Sequence, residues 1–204
     1  LSRGYGMESV RQRAMSAAET VSASLSEVVD DSALELVVDL RLAFGRLLAA
    51  LGANERAEKE HLDTAELSLS QGWTETACAA LALASHAAQA RGDRASSGRA
   101  WRKCREAMGA WPMNRPGERC GTLVDAVGDP LVALQVLSAL AEILVDGVEE
   151  DHSRAPIIRE IISRASEQTS RCVNPPQGAV ESLARVEERI APYGRGRGGR
   201  RRPG

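Results

Sequence analysis

FGRLLAALGANERA, residues 44–57, decides how this chain is read. The run is helical in pattern, yet it carries Gly45 in its middle, and a glycine there costs about 1 kcal/mol relative to alanine. Gly52 stops the run, and Ala57 follows where a second helix has begun. Gly45 is therefore either an accident or the point where something approaches the backbone closely. Two antiparallel helices, touching through small residues across a short turn, satisfy all three positions.

Helical punctuation continues outward in both directions. Residues 7–29 form a first, weakly amphipathic helix, and Ser32 with Glu35 makes a capping box for the helix that Gly52 ends. Asn54 is placed to cap the next helix, which ends near Gly72. A fourth runs from about Thr74 to Arg91, where "RGD" supplies a C-cap glycine and an N-cap aspartate, and a fifth covers about 95–110. "WPMNRPGERCG" (111–121) is irregular, and a short helix comes after it before Gly128. Asp129 and Pro130 open a strong helix, since aspartate caps and proline suits the first helical position. Two more helices flank the break "NPPQG" (174–178). No stretch shows the alternation of a strand.

Composition agrees. Of 204 residues, 43% are hydrophobic but only 3% aromatic, so the core is built from Ala, Leu, Val and Ile packed between helices. The expected class is all-α. In 75–91, eight alanines leave little side-chain bulk, which permits close packing. In 130–146, Gln135, Ser138, Glu142 and Asp146 fall on one stripe of an otherwise aliphatic helix, which reads as central and wrapped by neighbours. That helix is interrupted by polar residues and too short to span a bilayer, so no membrane role is expected. Four scattered cysteines have no CxxC or Cys/His spacing and read as buried reduced thiols, hence a cytoplasmic setting.

The stretch at 44–57 resembles a tetratricopeptide repeat: Gly45 where the paired helices touch, Gly52 at the end of the first, Ala57 packing back, and His61 where the family carries an aromatic. A second unit places Ser85 at the contact and Gly92 at the end. Ala100, Cys104, Ala107 and Pro112 come after a turn three residues longer. A third, weaker unit uses Gly147 and Ala155. The shift from Gly45 to Ser85 is 40 residues, against a family period near 34. The resemblance implies antiparallel hairpins stacked as an α-solenoid, the alternative being an irregular closed bundle. Its domain plan is an N-terminal segment 1–31, a helical domain 32–173, a helix over 174–192 and a basic tail 193–204.

Function is read by exclusion and analogy. No phosphate loop, HExxH, GxSxG or calcium loop occurs, and His61, His86 and His152 are isolated, so neither catalytic residues nor a metal or cofactor site are assigned. Trp73, Trp101 and Trp111 either line a groove or fill gaps in the core. The resemblance implies a non-enzymatic module, regulatory or adaptor in kind, that binds a protein or peptide on the concave face and adjoining turns through Arg41, Arg46, Trp73, His86 and Arg91. Homo-oligomerisation is a further expectation. The alternative partner is nucleic acid. Arg195, Arg197, Arg200, Arg201 and Arg202 carry no acid among them, and setting them aside leaves 21 basic against 28 acidic residues, a body near −7.

Overall fold

A computed structural model describes residues 12, 13, 16, 17, 19, 20, 23, 24, 34–111 and 114–193. Ser32, most of 7–29 and the tail beyond Tyr193 lie outside the described residues; those described within 7–29 are helical. From Leu34 on, the architecture is all helix: α1 Leu34–Ala50, α2 Asn54–Ser70, α3 Thr74–Ala90, α4 Arg94–Gly109, α5 Pro116–Val127, α6 Pro130–Val145, α7 Arg154–Arg171 and α8 Gln177–Ile190, closed by a 3₁₀ turn, Ala191–Tyr193. No strand occurs among the described residues. The chain divides into two compact units, Leu1–Cys104 and Arg105–Gly204, where the repeat plan runs one helical domain over 32–173. Within each, helices pack on their neighbours along the chain in solenoid-like succession.

From Leu34 the first unit repeats every twenty residues, α1 to α4 starting at Leu34, Asn54, Thr74 and Arg94. Each of its three turns has the same hydrogen bonds. Gly52 N–H donates to Ala49 O (2.9 Å) and Ala53 N–H to Leu48 O (2.9 Å). Gly72 and Trp73 do the same to Leu69 and Ser68, and Gly92 and Asp93 to Gln89 and Ala88. This is the Schellman closure, with the glycine left-handed. Gly52, Gly72 and Gly92 have φ of 77°, 74° and 84°. A Cβ on Gly72 or Gly92 would meet nothing, so backbone conformation and not space requires glycine there.

These compressed turns correct two expectations. The residue that closes one helix is also the N-cap of the next, so Ala53, not Asn54, caps α2, and it offers no side-chain bond. Only Asp93 has a capping side chain: its Oδ1 accepts from Ser96 N–H (2.9 Å) and its Oδ2 from the Ser96 hydroxyl (2.9 Å). Secondly, the turn before α4 is no longer than the turn before α2. Ser97, not Ala100, therefore stands where Ala57 stands one hairpin earlier.

Gly45 is not an accident. It packs against the imidazole of His61 on α2, and a Cβ there would stand 2.7 Å from Nδ1 and 2.8 Å from Nε2. His61 is only 1% exposed. Burial, with the nearby positive charge of Arg46, lowers its pKa to about 4, so the ring is neutral at pH 7. Ala57 belongs to a cluster with Phe44, Leu48 and Ala87, which joins α1, α2 and α3. Between α3 and α4, Ser85 donates to the Ser97 carbonyl (3.1 Å), and the Cys104 thiol donates to the Cys78 carbonyl (3.4 Å). Cys78, Cys104 and Cys120 are buried thiols outside any disulfide, whereas Cys172 is half-buried.

In the second unit α6 is central, contacted by α5, α7 and α8. Gly128 (φ 66°) and Asp129 make the whole link before it, and Asp129 Oδ1 accepts from Leu131 N–H (2.9 Å) and Val132 N–H (3.1 Å) as expected of a cap. Leu134, Leu137 and Leu140 are fully buried with Ile158 and Ile161 of α7. Gly147, matched to Gly52 in the repeat pattern, does not end α6 in a left-handed turn: Asp146 is the C-cap and remains right-handed.

Candidate functional site

The five residues proposed for partner binding spread over α1 and both ends of α3. Arg41 and Arg46 are half-buried on α1. The Nε of Arg41 is buried with no hydrogen-bond partner among the described residues. Trp73 sits half-buried in the turn before α3, and His86 is exposed on α3. Arg91, at the other end of α3, is about 25 Å from Trp73 along the helix axis. Its guanidinium already serves the fold: Nε and Nη2 donate to Glu58 Oε2 (3.0 and 2.5 Å), and Nη2 also meets Asp93 Oδ2 (3.0 Å). Trp111 is buried, while Trp73 and Trp101 are half-buried. The tail arginines Arg195, Arg197, Arg200, Arg201 and Arg202 lie outside the described residues.

Sequence reading missed the most distinctive surface of the first unit. Leu36, Leu40 and Leu47 of α1 are 60%, 41% and 44% exposed. Ala43 and Ala50 are exposed beside them. These five positions recur at intervals of four and three, which places them in one line along the helix. The opposite side, Val37, Val38, Leu42, Phe44 and Leu48, is buried. Asp39, exposed, and Arg46 flank the line on one edge, two turns apart. The available signal was the four-three spacing within LELVVDLRLAFGRLLAA, hidden because apolar residues also fill the other face.

The second unit has a polar cleft of about 330 Å³ between α6 and α8. Glu142 accepts from Arg105 Nη1 (3.5 Å) and from the Ser182 hydroxyl, with Arg185 Nη2 at 3.8 Å. Asp146 pairs with Arg189 (2.9 Å), and Ser138 donates to Ala179 O (3.2 Å). The polar stripe of α6 is thus met by α8. The cleft sets three arginines against two acids, and at such exposure each pair is worth at most about 1 kcal/mol.

Among the described residues no group of three or more His, Cys, Asp or Glu side chains is placed to hold a metal ion. No described helix is long and apolar enough to cross a membrane. Comparison with protein-family models, with curated proteins and with solved structures gave no match.

Proposed function

We propose that the chain is a degenerate tetratricopeptide-like module that binds a protein or peptide, acting as the regulatory part of a larger regulator or as an adaptor. The observation that carries this reading is the line of exposed leucines, Leu36, Leu40 and Leu47, on a helix whose other side is fully packed. Burying large apolar side chains is worth about 1.5–3 kcal/mol each. A contiguous apolar helix face left to water is a feature of docking surfaces. Repeating helix pairs with glycine turns and a Gly45 contact support the tetratricopeptide likeness, with a pair period of forty residues.

The test uses the full chain as bait for a displayed library of amphipathic helical peptides. Selected peptides are expected to lose binding about 100-fold or more when Leu40→Glu and Leu47→Glu place charge in the line. Recovery of no binder, or of binders indifferent to both substitutions, would sink the reading.

A further inference from the structure

We infer that the occupant of the exposed α1 face is a second copy of this chain, with the two α1 helices antiparallel about a twofold axis near Ala43. The inference rests on the reading of α1 as a docking face and adds the identity of what docks. Three features of that face support it.

The spacing comes first. Leu36, Leu40, Ala43, Leu47 and Ala50 keep to the four-three pattern by which one helix inserts its side chains between those of another. Size is the second feature. In an antiparallel pair centred on Ala43, Leu36 faces Ala50 of the other copy, Leu40 faces Leu47, and Ala43 faces its own twin. Large residues then oppose small ones at the ends, and the small centre lets the backbones close in.

The charges decide the partner and its direction. Asp39 and Arg46 lie on one edge of the line at nearly equal distances on either side of Ala43. Antiparallel pairing brings Asp39 of each copy to Arg46 of the other, giving two opposite-charge contacts from one sequence. Parallel pairing would put the two Asp39–Arg46 edges on opposite sides of the seam, where neither charge reaches its counterpart. A face complementary to itself under a twofold is what a symmetric dimer requires.

Sedimentation equilibrium of the full chain from micromolar to submillimolar concentration is expected to show twice the 21.8 kDa chain mass. Leu40→Glu should raise the dissociation constant about 100-fold, since each substitution acts twice across a twofold. Asp39→Arg alone and Arg46→Glu alone should each weaken the dimer about tenfold or more. Mixing these two variants should restore it as a heterodimer, because both contacts again join opposite charges. Thermal melts identify any variant that fails to fold, and Asp39→Arg with Leu40→Glu, both at exposed positions, carries the test if Arg46→Glu does not fold.

A monomer at every concentration overturns the inference, as does a dimer indifferent to Leu40→Glu, or a mixture that stays monomeric. The docking reading fails separately. If the chain is monomeric while library-selected helices still depend on Leu40 and Leu47, the dimer falls and the docking face stands. If those peptides ignore both leucines, the docking face falls as well.

Discussion

The two units solve the same packing problem with opposite materials. In the first, α3 buries eight positions that are alanine or serine, and its helices are of nearly equal length, joined by one repeated turn. In the second, α6 buries leucine and valine, helices range from 12 to 18 residues, and no two links match. Alanine cores leave little volume to lose, so their stability depends on how near the backbones lie. Aliphatic cores depend on filled volume and tolerate irregular links. The faces that break each pattern differ too: the polar line of α6 finds partners on α8, whereas the apolar line of α1 is left in water.

This contrast can be broken from either side. Removing volume should hurt the second unit most: Leu137→Ala, at a fully buried site, is expected to cost about 3–4 kcal/mol in denaturant unfolding, with surrounding atoms unable to close the cavity. Adding volume should hurt the first: Gly45→Leu, which overlaps the His61 imidazole, should cost about 3 kcal/mol through overpacking. A neutral result at Gly45 would show that α1 and α2 have room to spare and that the comparison is wrong.

Acid should also act on the first unit. His61 titrates near 4 when folded but near 6.5 when unfolded, so between those values the unfolded chain binds more protons. Stability then rises with pH across that window and falls on acidification, by about 2 kcal/mol from pH 7 to pH 5. Urea midpoints at the two pH values measure this, and His61→Gln should remove most of the slope. An unchanged slope in His61→Gln would place the acid sensitivity elsewhere.

The smallest effects separate conformation from space. Gly92→Ala, strained at positive φ, should destabilise by about 1 kcal/mol despite open surroundings. Gly98→Ala, equally open but inside α4, should stabilise by about 0.5–1 kcal/mol. Equal effects in thermal melts would refute the assignment of Gly92 to a left-handed turn.

Much of the fold was legible because its signals are local. Gly52, Gly72, Gly92, Asp129 and Pro130 mark helix ends by backbone preference alone, and the aliphatic run of α6 marked it as central. What failed depended on relations between helices. Asn54 is a good capping residue, but the Schellman closure had already moved the cap to Ala53. The resemblance to a tetratricopeptide repeat puts His61 at an aromatic position, yet nothing local said that its ring would lie on Gly45. Of the candidate site, Arg91 was visible as a cation near a turn, while its pairing with Glu58 on another helix was not. The exposed leucines were hidden for a related reason. α1 is apolar on nearly every side, and only the packing of its neighbours decides which side remains open.

The equal spacing of the three glycine turns has a consequence for how such a chain grows or shrinks. Each turn reverses direction, so twenty residues is one reversal and forty is two. Losing one segment, Asn54–Trp73 for instance, flips the polarity of every helix after it. Losing two, Asn54–Asp93, joins Ala53 to Arg94 and leaves α4 running in the direction that α2 had. Length change in this unit is therefore governed by parity: the loss of a single segment reverses all later helices, and the loss of a pair keeps their direction.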